Sequence, residues 1–191
     1  MKKIAFLVIC LGLSLYGADT TRGLIGVDAG YGQFAYSAND GRDDLSEDVG
    51  MIGLKLGAEN ESWRVFVEGR YFAITDAYDY ANILGVSLQY LIPVGDSFNV
   101  FLGANTGLVS LKFVDNGIHK AYSYSDPYYG GDIGFNVHVT DDVDWEFAGR
   151  YMNIDAKNTQ YTNINNPNSG RTYTIDSMIN IYTSIIIKFS N

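Results

Sequence analysis

Apolar and polar positions alternate along most of this chain with a period of two, the mark of strands with two unlike faces. Over residues 63–72, Trp63, Val65, Val67, Gly69 and Tyr71 share one face, and Arg64, Phe66, Glu68, Arg70 and Phe72 share the other. The same reading predicts strands at 24–36, 49–59, 81–92, 98–114, 128–139, 143–154 and 175–189. In the first, Ile25, Val27, Ala29 and Tyr31 oppose Gly26, Asp28, Gly30 and Gly32; in the second, Ile52, Leu54 and Leu56 oppose Met51, Gly53 and Lys55. In the last, Ile179, Ile181, Ile185 and Ile187 oppose Asn180, Tyr182, Ser184 and Lys188. Eight strands result, and eight is an even number.

The predicted connections alternate in length. Short ones fall at 60–62, 93–96 and 140–142, where Asn, Pro, Gly and Asp favour tight turns. Longer polar ones fall at 37–48, 75–80, 114–127 and 156–174. Short turns on one side and long loops on the other are the pattern of bacterial outer-membrane barrels. Strands of about 10 residues, tilted, cross a hydrocarbon layer, and the sheet must close because open edges would leave backbone groups unpaired in oil. The chain is therefore predicted to be all-β, an eight-stranded antiparallel up-and-down transmembrane β-barrel.

Which face meets oil follows from what stands opposite. A soluble eight-stranded barrel would cover its outside with Lys, Glu and Arg. Here the face opposite the apolar one is rich in Gly, Asn and Ser with scattered charges of both signs, which suits a narrow interior that side chains must fill. The apolar faces are thus predicted to look outward. Tyr31, Trp63, Tyr71, Tyr90, Tyr129, Trp145, Tyr151 and Phe189 would then form two aromatic girdles at the membrane interfaces.

Composition extends this picture. The chain of 191 residues begins with Lys2 and Lys3, an apolar run and small residues at Gly17 and Ala18, the layout of a secretory signal peptide. Residues 1–18 are expected to be removed, leaving 19–191 as one barrel domain exported to the outer membrane of a Gram-negative bacterium. The only cysteine, Cys10, leaves with the signal, and Val8 and Ile9 before it do not suit a lipoprotein signal. Loss of two lysines and no acid takes the formal charge from −9 to −11, so nucleic acid is not an expected partner.

Asp28, Lys55, Glu68, Arg70, Glu146 and Arg150 are predicted to face the bore. Gly-Arg-Tyr recurs at 69–71 and 149–151, which sets Arg70 and Arg150 at similar heights. Deprived of bulk water, each charge needs an opposite partner, so these six are expected to form a paired network that plugs the bore. His138 faces inward and His119 lies in a loop, too far apart for a metal site. No catalytic residue, metal site or cofactor is expected. Asp40, Asp43, Asp44, Glu47 and Asp48 gather in the first loop, whereas 121–129 is rich in Tyr and 158–173 in Asn; such loops suit solvation or recognition.

With GRY-type strands carrying inward Glu and Arg, and the ending IYTSIIIKF at 181–189, the chain resembles the small OmpA-like and OmpX-like outer-membrane barrel proteins. That resemblance implies a terminal strand recognised by the barrel-assembly machinery, with Phe189 as its aromatic and Ile181, Ile185 and Ile187 at alternate positions. Ser190 and Asn191 after the aromatic depart from the usual ending. It also implies contact with outer-membrane lipid and lipopolysaccharide as a monomer, an extracellular ligand not being specified. The expected task is non-enzymatic: loops displayed for envelope integrity, surface interaction or adhesion. A narrow porin for ions or small solutes is the first alternative, and a lipid-modifying enzyme the second. The His-x-Ser pairing of one deacylase group has no match in His138-Val139-Thr140 or His119-Lys120-Ala121.

Overall fold

The computed structural model describes residues 21–38, 45–73, 78–115, 120–161 and 170–189. The signal segment, Asp40, Asp43, Asp44, His119, Ser190 and Asn191 lie outside them. Eight strands are present: β1 (Arg22–Ala38), β2 (Leu45–Glu59), β3 (Trp63–Ala73), β4 (Tyr78–Pro93), β5 (Phe98–Asp115), β6 (Lys120–Thr140), β7 (Val143–Tyr161) and β8 (Gly170–Phe189). Each pairs antiparallel with its sequence neighbours, and β8 returns to β1 to close the barrel.

The three short turns gather at one end. Asn60 caps the first, its Oδ1 accepting from the backbone N–H groups of Ser62 and Trp63 at 3.0 and 2.8 Å. The second relies on Gly95, whose φ of 114° suits glycine and few other residues. In the third, the Thr140 hydroxyl accepts from the Asp142 N–H at 3.3 Å.

Inside and outside follow the sequence alternation. Along β3, Arg64, Phe66, Glu68, Arg70 and Phe72 are buried, while Trp63, Val67 and Tyr71 are exposed. Leu54 is 62% exposed and its neighbour Lys55 is 1% exposed. The apolar belt therefore faces outward, where only lipid can cover it. Two tiers of rings bound it: Trp63, Tyr90, Trp145 and Phe189 toward the turn end, and Tyr31, Tyr71, Tyr129 and Tyr151 toward the loop end, all exposed. The Trp63 and Tyr90 rings, on paired strands, stand 4.9 Å apart.

The expected long connections need correction, since strands run into all four of them. Residues 114–127 and 156–174 were expected to be loops, yet β6 begins at Lys120, β7 runs to Tyr161 and β8 starts at Gly170. The Tyr-rich segment 121–129 is strand, and of the Asn-rich segment 158–173 both ends are strand. Glu47 and Asp48 likewise belong to β2. In these segments the sequence lacks an apolar alternation, although the backbones pair. Pro127 lies above Tyr129, where the β6–β7 pairing begins, so it has a register partner on β5 and none on β7, an edge-like position that proline tolerates.

The bore itself is layered. Near the loop end it is apolar, filled by Phe34, Val49, Met51, Phe72, Ile83, Val109, Met152, Ile154, Ile175 and Met178. Below lies the charged region, and Leu24, Phe66 and Ile186 form a smaller apolar patch toward the turns.

Candidate functional site

The polar middle of the bore is built from alternate residues of all eight strands, each brought inward by strand parity. Its ion pairs form two groups that share no member. In the group nearer the loops, Arg150 of β7 reaches Asp132 of β6 through Nη2 at 2.7 Å and Nε at 2.9 Å, and bridges to Glu68 of β3 with both terminal nitrogens. Arg70 completes it, with Nη2 2.9 Å from Asp28 Oδ2 of β1 and 3.3 Å from Glu68 Oε2. The Asp28 contact is charge proximity without hydrogen-bond alignment. The Arg70 guanidinium also lies 4.3 Å from the Tyr182 ring centre.

The group nearer the turns centres on Arg64. It donates to Glu59 at 2.8 and 3.0 Å, to Asp144 at 3.0 Å, to Glu146 at 3.2 Å and to the Asn136 amide oxygen at 3.1 Å. Lys55 donates to Glu146 at 2.6 Å. Lys188 stands 2.9 Å from Asp144 and 3.3 Å from Glu59. His138 Nδ1 is 2.6 Å from Asp144 Oδ1, and its Nε2 is 3.1 Å from the Asn99 amide nitrogen, so both ring nitrogens are engaged.

All six charges named from the sequence, Asp28, Lys55, Glu68, Arg70, Glu146 and Arg150, are buried in the bore. Arg70 and Arg150 share Glu68, and Asp28 joins Arg70. Glu146 stands apart from both arginines and pairs with Lys55 and Arg64. Arg64, Glu59, Asp132, Asp144 and Lys188 belong to the same system and were not singled out, although each has inward parity in its own strand. The apolar layer toward the loops was missed as well. Its members share a face with charges, so a strand-by-strand reading of polarity conceals a change of character with height.

Chemically, a charge buried this deep is tolerable because each has an opposite partner; breaking one such pair costs about 3 to 5 kcal/mol. Among the described residues, no three His, Asp or Glu side chains are grouped to hold a metal ion. On the outside, Trp145 donates its indole N–H to the Thr183 hydroxyl at 2.6 Å, and that hydroxyl donates to the Glu146 carbonyl at 3.0 Å. Ile181, Ile185, Ile187 and Phe189 of β8 all face lipid.

Comparison with known proteins agrees with this architecture. The model of a family described as outer membrane protein beta-barrel domain matches residues 4–175. Neisserial surface protein A is similar in structure, with a TM-score of 0.67 at 16% identity over 87% of this chain and 97% of that one. Outer membrane protein OprG from Pseudomonas aeruginosa gives 0.61 at 14% identity over 90% and 98%. Outer membrane protein H from P. aeruginosa gives 0.54 at 22% identity over 88% and 99%. At these identities the likeness concerns the fold. No curated protein matches the chain at a significant level.

Proposed function

From the premise that the chain belongs to the outer membrane protein beta-barrel domain family, we propose that it is a non-enzymatic barrel with a closed bore. Its task is to present extracellular loops for envelope integrity or surface interaction. It resides in the outer membrane of a Gram-negative cell, in contact with lipid and lipopolysaccharide. In this reading it reaches the membrane through the barrel-assembly machinery and works as a monomer.

One observation carries the reading. The bore is filled throughout its height: Phe34, Phe72, Met152 and Met178 are 0% exposed near the loops, and Arg64 and Glu146 are 0% exposed near the turns. A solute path needs continuous space or a ring of hydrated charges, whereas these charges are spent on one another. A lipid-modifying site needs a nucleophile or a free base on the lipid-facing or loop surface. The carboxylates of the bore are instead paired, and His138 is held on both sides.

Planar-bilayer recording of the purified barrel is the test. Silence under applied voltage is expected, and discrete conductance steps would favour a narrow porin. Incubation with lipid A, followed by mass spectrometry, is expected to leave the lipid unchanged. A mass change would make the protein an enzyme.

A further inference from the structure

Glycine weakens the middle of a strand, and where it stands there it marks a bulge or bend, a close contact, or the approach of a ligand. Gly69, in the first Gly-Arg-Tyr motif, serves neither of the first two. It sits on the lipid-facing side of β3 between the exposed Val67 and Tyr71. The pairings of β3 with β2 and with β4 run through it without a register shift. Among the described residues only Gly95 has a positive φ, so the backbone at Gly69 does not require glycine. A side chain built on it would meet nothing within 4 Å. The packing of the barrel leaves this position open to any residue, and yet the wall there is bare.

The bare position lines a cleft in the outer wall with a volume of about 670 Å³, within the range of sites that hold small ligands. Two adjacent rows of outward residues border it. Ala29, Ile52, Tyr71 and Asn82 are successive register partners across β1 to β4 and form the row nearer the loops. Leu54 and Gly69, partners on β2 and β3, belong to the row below. Asn82 is the second unusual feature. It is exposed on the lipid-facing wall beside Tyr71 of the loop-side ring tier, and among the described residues its side-chain amide has no hydrogen-bond partner. An amide at the edge of hydrocarbon is costly without one.

Lipid tails are as apolar as leucine, so a cleft in the belt gains nothing from hydrophobic burial; preference there comes from van der Waals packing and from polar groups. Packing favours an occupant narrow enough to lie where one side chain is missing, which describes an acyl chain. A second barrel is convex and could send only single side chains into the cleft. Because the cleft adjoins the loop-side tier, its occupant belongs to the leaflet on the loop side, which is the lipopolysaccharide leaflet in the orientation of the proposed function. The chemistry of lipid A agrees with this. Its acyl chains carry amide links and hydroxyls close to the sugar, offering donors and acceptors together, and the asparagine amide both donates and accepts. The ester carbonyls of a phospholipid only accept.

We propose that the cleft at Gly69 holds one acyl chain of a lipid A molecule, with the Asn82 amide hydrogen-bonded to the amide or hydroxyl at the head of that chain. The site rests on the reading of the protein as a barrel in contact with lipopolysaccharide, and gives that contact a fixed place on the wall.

Native mass spectrometry of the intact barrel, released from detergent after titration with purified lipid A or with phosphatidylethanolamine, is the test. One lipid A adduct should survive release, and the phospholipid should not displace it. Asn82→Leu should weaken lipid A binding about 5-fold, the worth of one neutral hydrogen bond. Gly69→Phe, which fills the cleft, should abolish the adduct, whereas Ile133→Phe, on the lipid-facing side of β6, should keep it. A second measurement needs no variant: lipid A with a photoreactive diazirine in its chain, in vesicles holding the native protein, should label peptides of β2 and β3. Labelling spread evenly around the barrel, equal binding of phosphatidylethanolamine, or an adduct unchanged in Gly69→Phe would overturn the proposal. So would a dimer in place of the adduct, which would give the cleft to a second copy. Each of these failures leaves the non-enzymatic, closed barrel standing; that reading falls instead if lipid A changes mass or the barrel conducts.

Discussion

At the scale of the residue, Glu68 holds more of the bore than any other carboxylate in its group, because both Arg70 and Arg150 rely on it. Removing Arg150 strands Asp132 and leaves Glu68 to Arg70 alone where water is excluded, whereas an apolar replacement of the whole group would leave no unpaired charge. Arg150→Met is therefore expected to destabilise the barrel by about 3 to 5 kcal/mol in reversible urea unfolding from vesicles; a loss below about 1 kcal/mol would mean that water reaches the site. Glycine offers a second contrast. A side chain on Gly30 would come 2.8 Å from Tyr182 Cβ and 2.9 Å from its Cα, atoms that cannot swing aside, so Gly30→Ala should cost about 1 to 3 kcal/mol. Gly149 faces lipid with nothing within 4 Å of that position. Gly149→Ala should stay within about 0.5 kcal/mol of the parent in the same measurement.

At the scale of the element, a strand is readable from sequence as far as its two faces meet different media. Between the girdles one face meets lipid and the other a filled bore, so the cores of all eight strands, their parity and the closed topology were legible. The six bore charges were legible for the same reason. Above the loop-side girdle the alternation disappears, and the outer parts of β6, β7 and β8 were read as loops although their backbones pair. Partners across the bore were not legible either: Glu146 finds Lys55 and Arg64 because of strand tilt and stagger, which no single strand records. The lipid-facing assignment makes a depth-dependent prediction. Val67 lies midway between Trp63 and Tyr71 on β3, and Val67→Arg should cost about 2 to 4 kcal/mol. Val139, exposed beside the last turn, should tolerate arginine at about 0 to 1 kcal/mol. Equal costs at the two sites, measured by urea unfolding in vesicles, would place the belt elsewhere.

At the scale of the whole molecule, the closure we propose rests on three barriers in series: the apolar layer near the loops, the Arg70 and Arg150 group, and the Arg64 group. Barriers in series differ from a single plug in one testable respect. Current through the bore is limited by the tightest remaining layer, so damage to one layer weakens the fold without opening the path. Arg150→Met leaves Phe34, Phe72, Met152 and Met178 packed above and the Arg64 contacts intact below. Phe72→Ala combined with Met178→Ala thins the apolar layer but leaves both ionic groups in place. Each variant, once its folding is verified by heat-modifiable gel migration, is expected to lose stability and stay silent in planar-bilayer recording. Discrete conductance steps from Arg150→Met alone would mean that the loop-side ionic group is the only seal. Steps from the Phe72 and Met178 double variant would assign that role to the apolar layer, and the serial account of closure would fail.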